Sequence, residues 1–430
     1  MLALAALAAS GLLGACGGTS PSASGRRGGA ASTTGTTVRA TTTAATTTST
    51  TTTSTTRGAA TTTTRVAGRR AATTTSGPGP QAGARQGALP AGGPAPSGFQ
   101  PVSFTAVSPS EYWLLGTAPC SNPVCTSVLR TTDGGTGFVG LPAPPVPLAS
   151  GFGNSSGIDT LRFADPLDGY AFAPGGGQFW DTHDGGEHWA EPAFMAGRSL
   201  LAFGTGAGYA FALVGTCQGG TCSAVSLQRS AVGADNWTAL DVPVPSGVSG
   251  LAAMTVHGSD LWISLTTSAT QANQLLVIGS ASGASFTTAQ SPCYAGLGGS
   301  LAAASSEVVW AVCPTGMLAG AYRSSDGGRS WTSLGQATGE LPNSALLAAA
   351  SATTAVLSPG SSGGMLRTTD GGATWSPVPS PAGSGNWAWA GFTSATVGAA
   401  LRSSGGTSQA EQLYRTTDGG ATWTGPVALP

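Results

Sequence analysis

Lysine is absent from the chain, and charge of either sign is scarce: 8 % of the 430 residues are charged, against about 25 % in an average globular protein. The arginines and acids are also unevenly spread. Residues 1–97 hold eight arginines and no acid, whereas residues 98–430 hold nine arginines and eighteen acids, a formal charge of −9. Phosphate backbones are gripped by clustered cations, so this acidic part has no nucleic acid as its partner. Histidine is nearly absent too, with three in the chain, which leaves little material for His-rich metal sites. What the chain has in excess is small: Gly, Ala, Ser and Thr, punctuated by proline.

The front of the chain is low in complexity. Residues 1–15 are small and apolar and end in Leu12-Leu13-Gly14-Ala15-Cys16. A core this short fits an export signal and is too short to span a bilayer. The basic residues that usually precede such a core are missing, as expected if translation starts further upstream. Leu13-Gly14-Ala15-Cys16 resembles a bacterial lipobox, which implies a lipidated Cys16 as mature N-terminus; an ordinary secretory signal beside an unrelated Cys is the alternative. Two acyl chains on Cys16 would hold the protein at the outer face of a membrane. Residues 16–97 follow as a linker in which 33–75 contain 23 threonines in 43 positions. Such a stretch cannot bury enough apolar surface to offset its ordering entropy. It is expected to be a disordered stalk, O-glycosylated or bare.

From residue 98 onward the chain is built on a repeated phrase. It reads RTTDGGATW at Arg415–Trp423 and Arg367–Trp375, and RSSDGGRSW at Arg323–Trp331. Looser copies are DTHDGGEHW at Asp181–Trp189 and RTTDGGTGF at Arg130–Phe138. An Asp at a hairpin tip can accept the backbone N–H groups of its own turn. Paired glycines such as Gly419 and Gly420 supply positive φ, and the closing aromatic folds back over the hairpin. The phrase resembles the Asp-box, or BNR repeat, of the sialidase superfamily. That resemblance implies a β-propeller in which Asp133, Asp184, Asp326, Asp370 and Asp418, with Trp189, Trp331, Trp375 and Trp423, are structural, sitting between the third and fourth strands of each blade.

The spacing of the phrase sets the number of units. The Asp positions 133, 184, 326, 370 and 418 leave gaps of 51, 142, 44 and 48 residues. The long gap holds almost three periods, and two eroded copies lie inside it: RSAVGADNW at Arg229–Trp237 and IGSASGASF at Ile278–Phe286. Seven units of about 48 residues, each a four-stranded antiparallel blade, therefore predict an all-β, seven-bladed propeller over residues 98–430, closing with no strand shared between the two ends.

Six cysteines remain after Cys16, an even number that reads as disulfides in an exported chain. Cys120 and Cys125, like Cys217 and Cys222, bracket one loop between second and third strands, so each pairs most simply with itself. Cys293 and Cys313 are left for one another. Strand order places all six at one end of the ring, opposite the Asp turns. A zinc site is not expected, because neither C-x4-C has a matched second pair or histidines nearby.

Residues unexplained by the repeat are the candidates for function. Trp387 and Trp389 stand two apart in a predicted first strand, which puts both rings on one face: a stacking platform for a sugar or peptide, or blade-to-blade core. Arg162, Arg198 and Arg402 fall outside the repeat positions, as does Tyr294; Glu191 and Glu340 lie in connections between units. Sialidases grip a carboxylate with three arginines beside a Tyr nucleophile, its Glu partner and an Asp, but their Arg-Ile-Pro motif is missing here. His183 and His188 are expected on a solvated turn. The reading is a surface-anchored, non-catalytic binding or assembly module, similar to photosystem II stability/assembly factor-type propellers. It needs no cofactor or metal and takes a protein or glycan at the cysteine-bearing face. The alternative is an extracellular glycoside hydrolase, sialidase-like or xyloglucanase-like, which would need paired carboxylates; a purely structural surface protein is the third.

Overall fold

A computed structural model describes residues 87–121, 125–149, 156–267, 273–294, 297–338, 341–342, 345–358, 364–379, 386–403 and 412–430. The expected signal segment 1–15, Cys16, the threonine-rich stretch and Glu340 lie outside the described residues. Apart from a 3-10 turn at Ala193–Met195 and one helical turn at Gly335–Thr338, the described chain is strand and turn.

Six antiparallel sheets follow one another along the chain. The first is built on Gln100–Ala106, Tyr112–Ala118, Cys125–Thr131 and Val139–Leu141, and the second on Thr160–Phe163, Gly169–Phe172 and Phe179–Thr182. The third is a double sheet running from Ser199–Gly206 to Phe286–Tyr294, in which two consecutive meanders join through Thr221↔Ser249 and Cys222↔Val248. The fourth, fifth and sixth begin at Ser300–Ala303, Leu346–Ala349 and Trp387–Phe392. In each meander the second strand is the most buried, as with Tyr112–Ala118, Gly169–Phe172 and Ala355–Ser358. These runs of apolar and small residues are covered on both faces, which is why they lack the in-out alternation of a one-sided sheet.

Neighbouring sheets pack face to face. Leu161 and Phe163 donate backbone N–H bonds to Ser103 Oγ and Thr105 Oγ1 of the first sheet, each 3.0 Å long. Phe203 of the double sheet inserts against Tyr170 and Phe172 of the second, at centroid distances of 4.8 and 5.0 Å. The sixth sheet returns to the first: Trp389 packs on Phe104 at 5.3 Å, and the C-terminal tail carries Pro430 O to the N–H groups of Gly98 and Phe99 at 2.8 and 3.1 Å. A closed ring of antiparallel meanders is a β-propeller. No strand is exchanged between the two ends among the described residues; Val427 and Leu429 instead wedge between first and last sheets.

Two features differ from the sequence expectation. The outermost strand is reduced to single bridges in the second and sixth sheets, Asp181↔Ala190 and Arg415↔Thr424. Each bridge is followed two residues later by Pro192 or Pro426, which has no N–H to continue a ladder. The fold also starts before residue 98. Gly93–Pro94 pairs with Val139–Leu141 as a fifth strand of the first sheet, and Pro90 O accepts from Arg130 Nη2 at 2.7 Å.

The Asp turns repeat one hydrogen-bond pattern. In the last, Thr416 Oγ1 donates to Asp418 Oδ1 at 2.8 Å and accepts the Gly420 N–H at 2.9 Å, while Asp418 Oδ1 accepts the Thr422 N–H at 2.9 Å. Gly419 and Gly420 hold φ of 68° and 79°, a region that costs side-chain-bearing residues strain. The same hydroxyl-to-carboxylate bond closes the turns at Asp133, Asp184, Asp326 and Asp370. The closing aromatics Trp189, Trp331 and Trp375 are half-buried and Trp423 buried, with Trp189 Nε1 donating to Pro142 O of the preceding sheet at 3.0 Å.

The arginines three residues before Asp326, Asp370 and Asp418, and Arg229 of the eroded copy, link one unit to the next. Arg367 donates to Gly419 O (2.8 Å), Arg323 to Ala352 O (3.2 Å) and Arg229 to Ala281 O (3.1 Å). Arg415 closes the ring by donating to Gly134 O and Pro109 O of the first sheet. In the second sheet this position is Asp181.

Candidate functional site

The six cysteines form three disulfides, Cys120–Cys125, Cys217–Cys222 and Cys293–Cys313, the pairing that their spacing predicts. The first two staple hairpin ends. The third ties the last strand of the double sheet to Val309–Pro314 in the fourth sheet, and both of its cysteines are buried. Around it stand the exposed large apolar side chains of the described residues: Tyr294 (49 % exposed), Leu297 (43 %), Met317 (87 %) and Leu318 (44 %). Each lies within five residues of Cys293 or Cys313. Leu297 also lines a cleft of about 220 Å³ with Pro174, Leu201, Ala252, Thr266 and Gln274. Gln274 Nε2 fixes the rim by donating to Tyr294 O (3.1 Å) and Gly298 O (2.6 Å). The described lining of this cleft contains no ionisable side chain.

The other residues singled out from sequence disperse. Trp387 and Trp389 do not share a face, because the register shifts between them. Trp387 is buried against Tyr414 at 5.3 Å on the side of the fifth sheet, while Trp389 packs on Phe104 of the first. Of the two readings, stacking platform or core, the contacts are those of core, and the β-bulge divides the rings between two clusters. The Arg402 guanidinium is buried and stacked 5.5 Å over the Trp387 ring. Arg162 projects from Thr160–Phe163 with its side chain reaching solvent while protein surrounds it, and desolvation pulls its pKa down. Arg198 sits half-buried in the connection to the double sheet, where Glu191 is exposed. Three arginines on three separate elements, one committed to an indole, make no carboxylate clamp.

A different cluster assembles at the junction of the second sheet and the double sheet. Asp168 lies in the turn before Gly169–Phe172, Asp181 in Phe179–Thr182, His183 in the Asp184 turn, and Asp235 in the facing turn of the double sheet. His183 Nδ1 is 2.5 Å from Asp168 Oδ1, and its Nε2 is 2.9 Å from Asp235 Oδ2. Asp168 and Asp181 are fully buried, and one oxygen of each, Oδ2, accepts no hydrogen bond. Ligand atoms of Asp181, His183 and Asp235 all lie within 4.8 Å of one another. Gly233, at φ 74°, lets the facing turn close over Asp168: a Cβ there would stand 2.9 Å from Asp168 Oδ1. The bonds to Asp168 and then Asp235 push the imidazole up to about 10, so at neutral pH the ring carries both protons. Burial, reinforced by Asp235, pushes Asp181 up to about 7, while the bond to His183 lowers Asp235. His183 is thus a gripped side chain and not the solvated turn residue expected; His188 is the exposed one, 2.7 Å from Asp184 Oδ2.

The chain matches no protein-family model and no curated protein. Among solved structures it is similar to YCF48 from Cyanidioschyzon merolae (17 % identity, 76 % of this chain and 97 % of that chain, TM-score 0.46). It is also similar to YCF48 bound to a D1 peptide (16 %, 75 % and 95 %, TM-score 0.46). A third is the GH74 enzyme of Niastella koreensis (12 %, 76 % and 65 %, TM-score 0.38). At these identities and scores the likenesses carry no functional weight, and the reading below rests on the chain's own residues.

Two groups of residues escaped the sequence reading. Leu297, Met317 and Leu318 are unremarkable in a chain rich in small apolar residues, and only their exposure sets them apart. The histidine cluster did leave a mark: Asp181 stands where five of the seven copies place arginine and one places Ile278.

Proposed function

We propose that this chain is a non-catalytic, surface-anchored binding module. In this reading a lipidated Cys16 holds it at the outer face of the membrane. The threonine-rich stalk carries a seven-bladed propeller, the double sheet counting as two blades, and the cysteine-bearing face takes a protein ligand. One observation carries it: the exposed large apolar side chains of the described residues all lie within five residues of Cys293 or Cys313, and one of them, Leu297, lines a cleft whose described lining has no ionisable group. Exposed apolar patches of this kind mark interaction surfaces. Glycoside hydrolysis requires two facing carboxylates, and this cleft supplies none from its described lining. Its backbone and Gln274 rim suit an extended peptide segment bearing apolar side chains.

The test is selection of a random dodecapeptide library on the immobilised full chain, followed by titration calorimetry of the enriched peptides. Apolar peptides should emerge, and the triple variant Leu297→Ser, Met317→Ser, Leu318→Ser should weaken them at least tenfold while its thermal midpoint stays unchanged. Peptides indifferent to that variant, or turnover of fluorogenic glycosides by the purified chain, would overturn the reading. The anchor is tested separately: Cys16→Ala should move the protein from the detergent phase to the growth medium.

A further inference from the structure

At the junctions served by Arg229, Arg323, Arg367 and Arg415, a guanidinium reaches main-chain oxygens of the following unit. Between the second sheet and the double sheet the corresponding side chain is Asp181, and the sign of the charge is reversed. The junction then gathers Asp168, Asp181 and Asp235 around one imidazole. Asp181 is fully buried with Oδ2 lacking any donor, and it faces His183 and Asp235 within 4.8 Å. Asp168, equally buried, contacts His183 Nδ1 at 2.5 Å. A carboxylate on Nδ1–H orients the imidazole so that Nε2, once its proton is displaced, presents a lone pair, which is how metal-ligating histidines are oriented. That Nε2 points at Asp235. The half-exposed His183 and the exposed Asp235 leave the site open to solvent on one side, which provides an entry path.

We infer that Asp181, His183 and Asp235 bind one divalent cation of the zinc class, with Asp168 as the positioning residue behind His183. One imidazole nitrogen and two carboxylate oxygens match the donor preference of that class, and three protein ligands leave a fourth position for water. Binding puts the ion in the place of the proton on His183 Nε2, which passes to solvent, while Asp181 and Asp235 bind as carboxylates. The cation then does at this junction what the arginine does at the others, linking the second sheet to the unit that follows it. The site is independent of the proposed peptide surface.

Zinc chloride titrated calorimetrically into the full chain, purified without a histidine tag and stripped with chelator, should saturate at one ion per chain and raise the thermal midpoint. Asp181→Asn and His183→Gln should each lower the affinity at least tenfold, and Asp168→Asn by about 10–100-fold, the usual cost of removing an orienting partner. His188→Gln, in the exposed group with Asp184 and Glu187, should leave it unchanged. Asp181→Arg restores the repeat's own side chain and should give a folded protein whose midpoint no longer responds to zinc. Absence of saturable binding by the parent chain overturns the site, as does a zinc response that persists in Asp181→Arg or disappears in His188→Gln. Calcium or manganese binding with zinc excluded would likewise overturn the assignment to the zinc class.

Discussion

At the scale of single residues, the Asp turns work through buried hydroxyls as much as through the carboxylates they are named for. Thr416 is buried and its Oγ1 is the acceptor for Gly420 N–H. Thr416→Val keeps the shape and strands that donor, so a loss of about 1–3 kcal/mol is expected, read as a lower urea midpoint at unchanged m-value. The carboxylates set the acid limit. Hydrogen bonds from Ser330 hold Asp326 at about 2, and those from Thr374 hold Asp370 at about 2. Desolvation opposes the shift at Asp418, but Thr422 and Thr416 outweigh it and bring that group also to about 2. A carboxyl whose folded pKa is depressed stabilises above its unfolded value of about 4, and the contribution is lost as pH falls through the folded value. The contribution of these three carboxylates should therefore be constant near neutrality and fall between about pH 4 and pH 2, and Asp→Asn at positions 326, 370 and 418 together should flatten that fall. A urea series across pH measures it.

At the scale of the element, the arginine links and the disulfides hold different parts of each sheet. Arg415 bonds Gly134 O and Pro109 O and stacks 5.3 Å over the Tyr112 ring. Arg415→Met should cost about 1.5–3 kcal/mol, the range for bonds to a charged donor. Hydrogen exchange should accelerate first at the junction of the sixth and first sheets, where the ring closes. Cys293–Cys313 closes a loop with a sequence separation of 20 between two sheets, whereas Cys217–Cys222 lies within one paired hairpin. On the chain-entropy account, removing the former with a double Cys→Ser change should cost about 3 kcal/mol. Removing the latter should cost less, because the hairpin ladder already closes its loop. Paired thermal midpoints of the two variants decide it.

At the scale of the whole molecule, the cysteine-bearing and Asp-turn ends of the ring have separate chemistry. One end presents Leu297, at a cleft with no ionisable group in its described lining, and Met317 and Leu318 to solvent; the other carries the charged turns and the His183 cluster. Substitutions at one end are expected to be additive with those at the other, because sites with no shared partners act independently. Combining the Leu297, Met317 and Leu318 changes with Asp181→Arg should reproduce the sum of the separate effects on the thermal midpoint. A marked departure from that sum would reveal coupling through the intervening sheets.

The sequence by itself determined what is local. Each Asp turn is closed by atoms within eight residues, so RTTDGGATW can be read directly as a turn, and counting its copies predicted the succession of meanders. Cys120–Cys125 and Cys217–Cys222 were legible for the same reason. Tertiary structure decided whatever depends on register or on distant partners. A single bulge between Trp387 and Trp389 sent two rings expected on one face into different cores, and no local pattern encodes that shift. Gly93–Pro94 became a strand because Val139–Leu141 offered an edge, not through any propensity of its own. Asp235 meets His183 across 52 residues of chain, a meeting that exists only because the ring places the second sheet against the next. The substitution of aspartate for arginine at 181 was visible in the repeat all along, but its consequence required the facing turn.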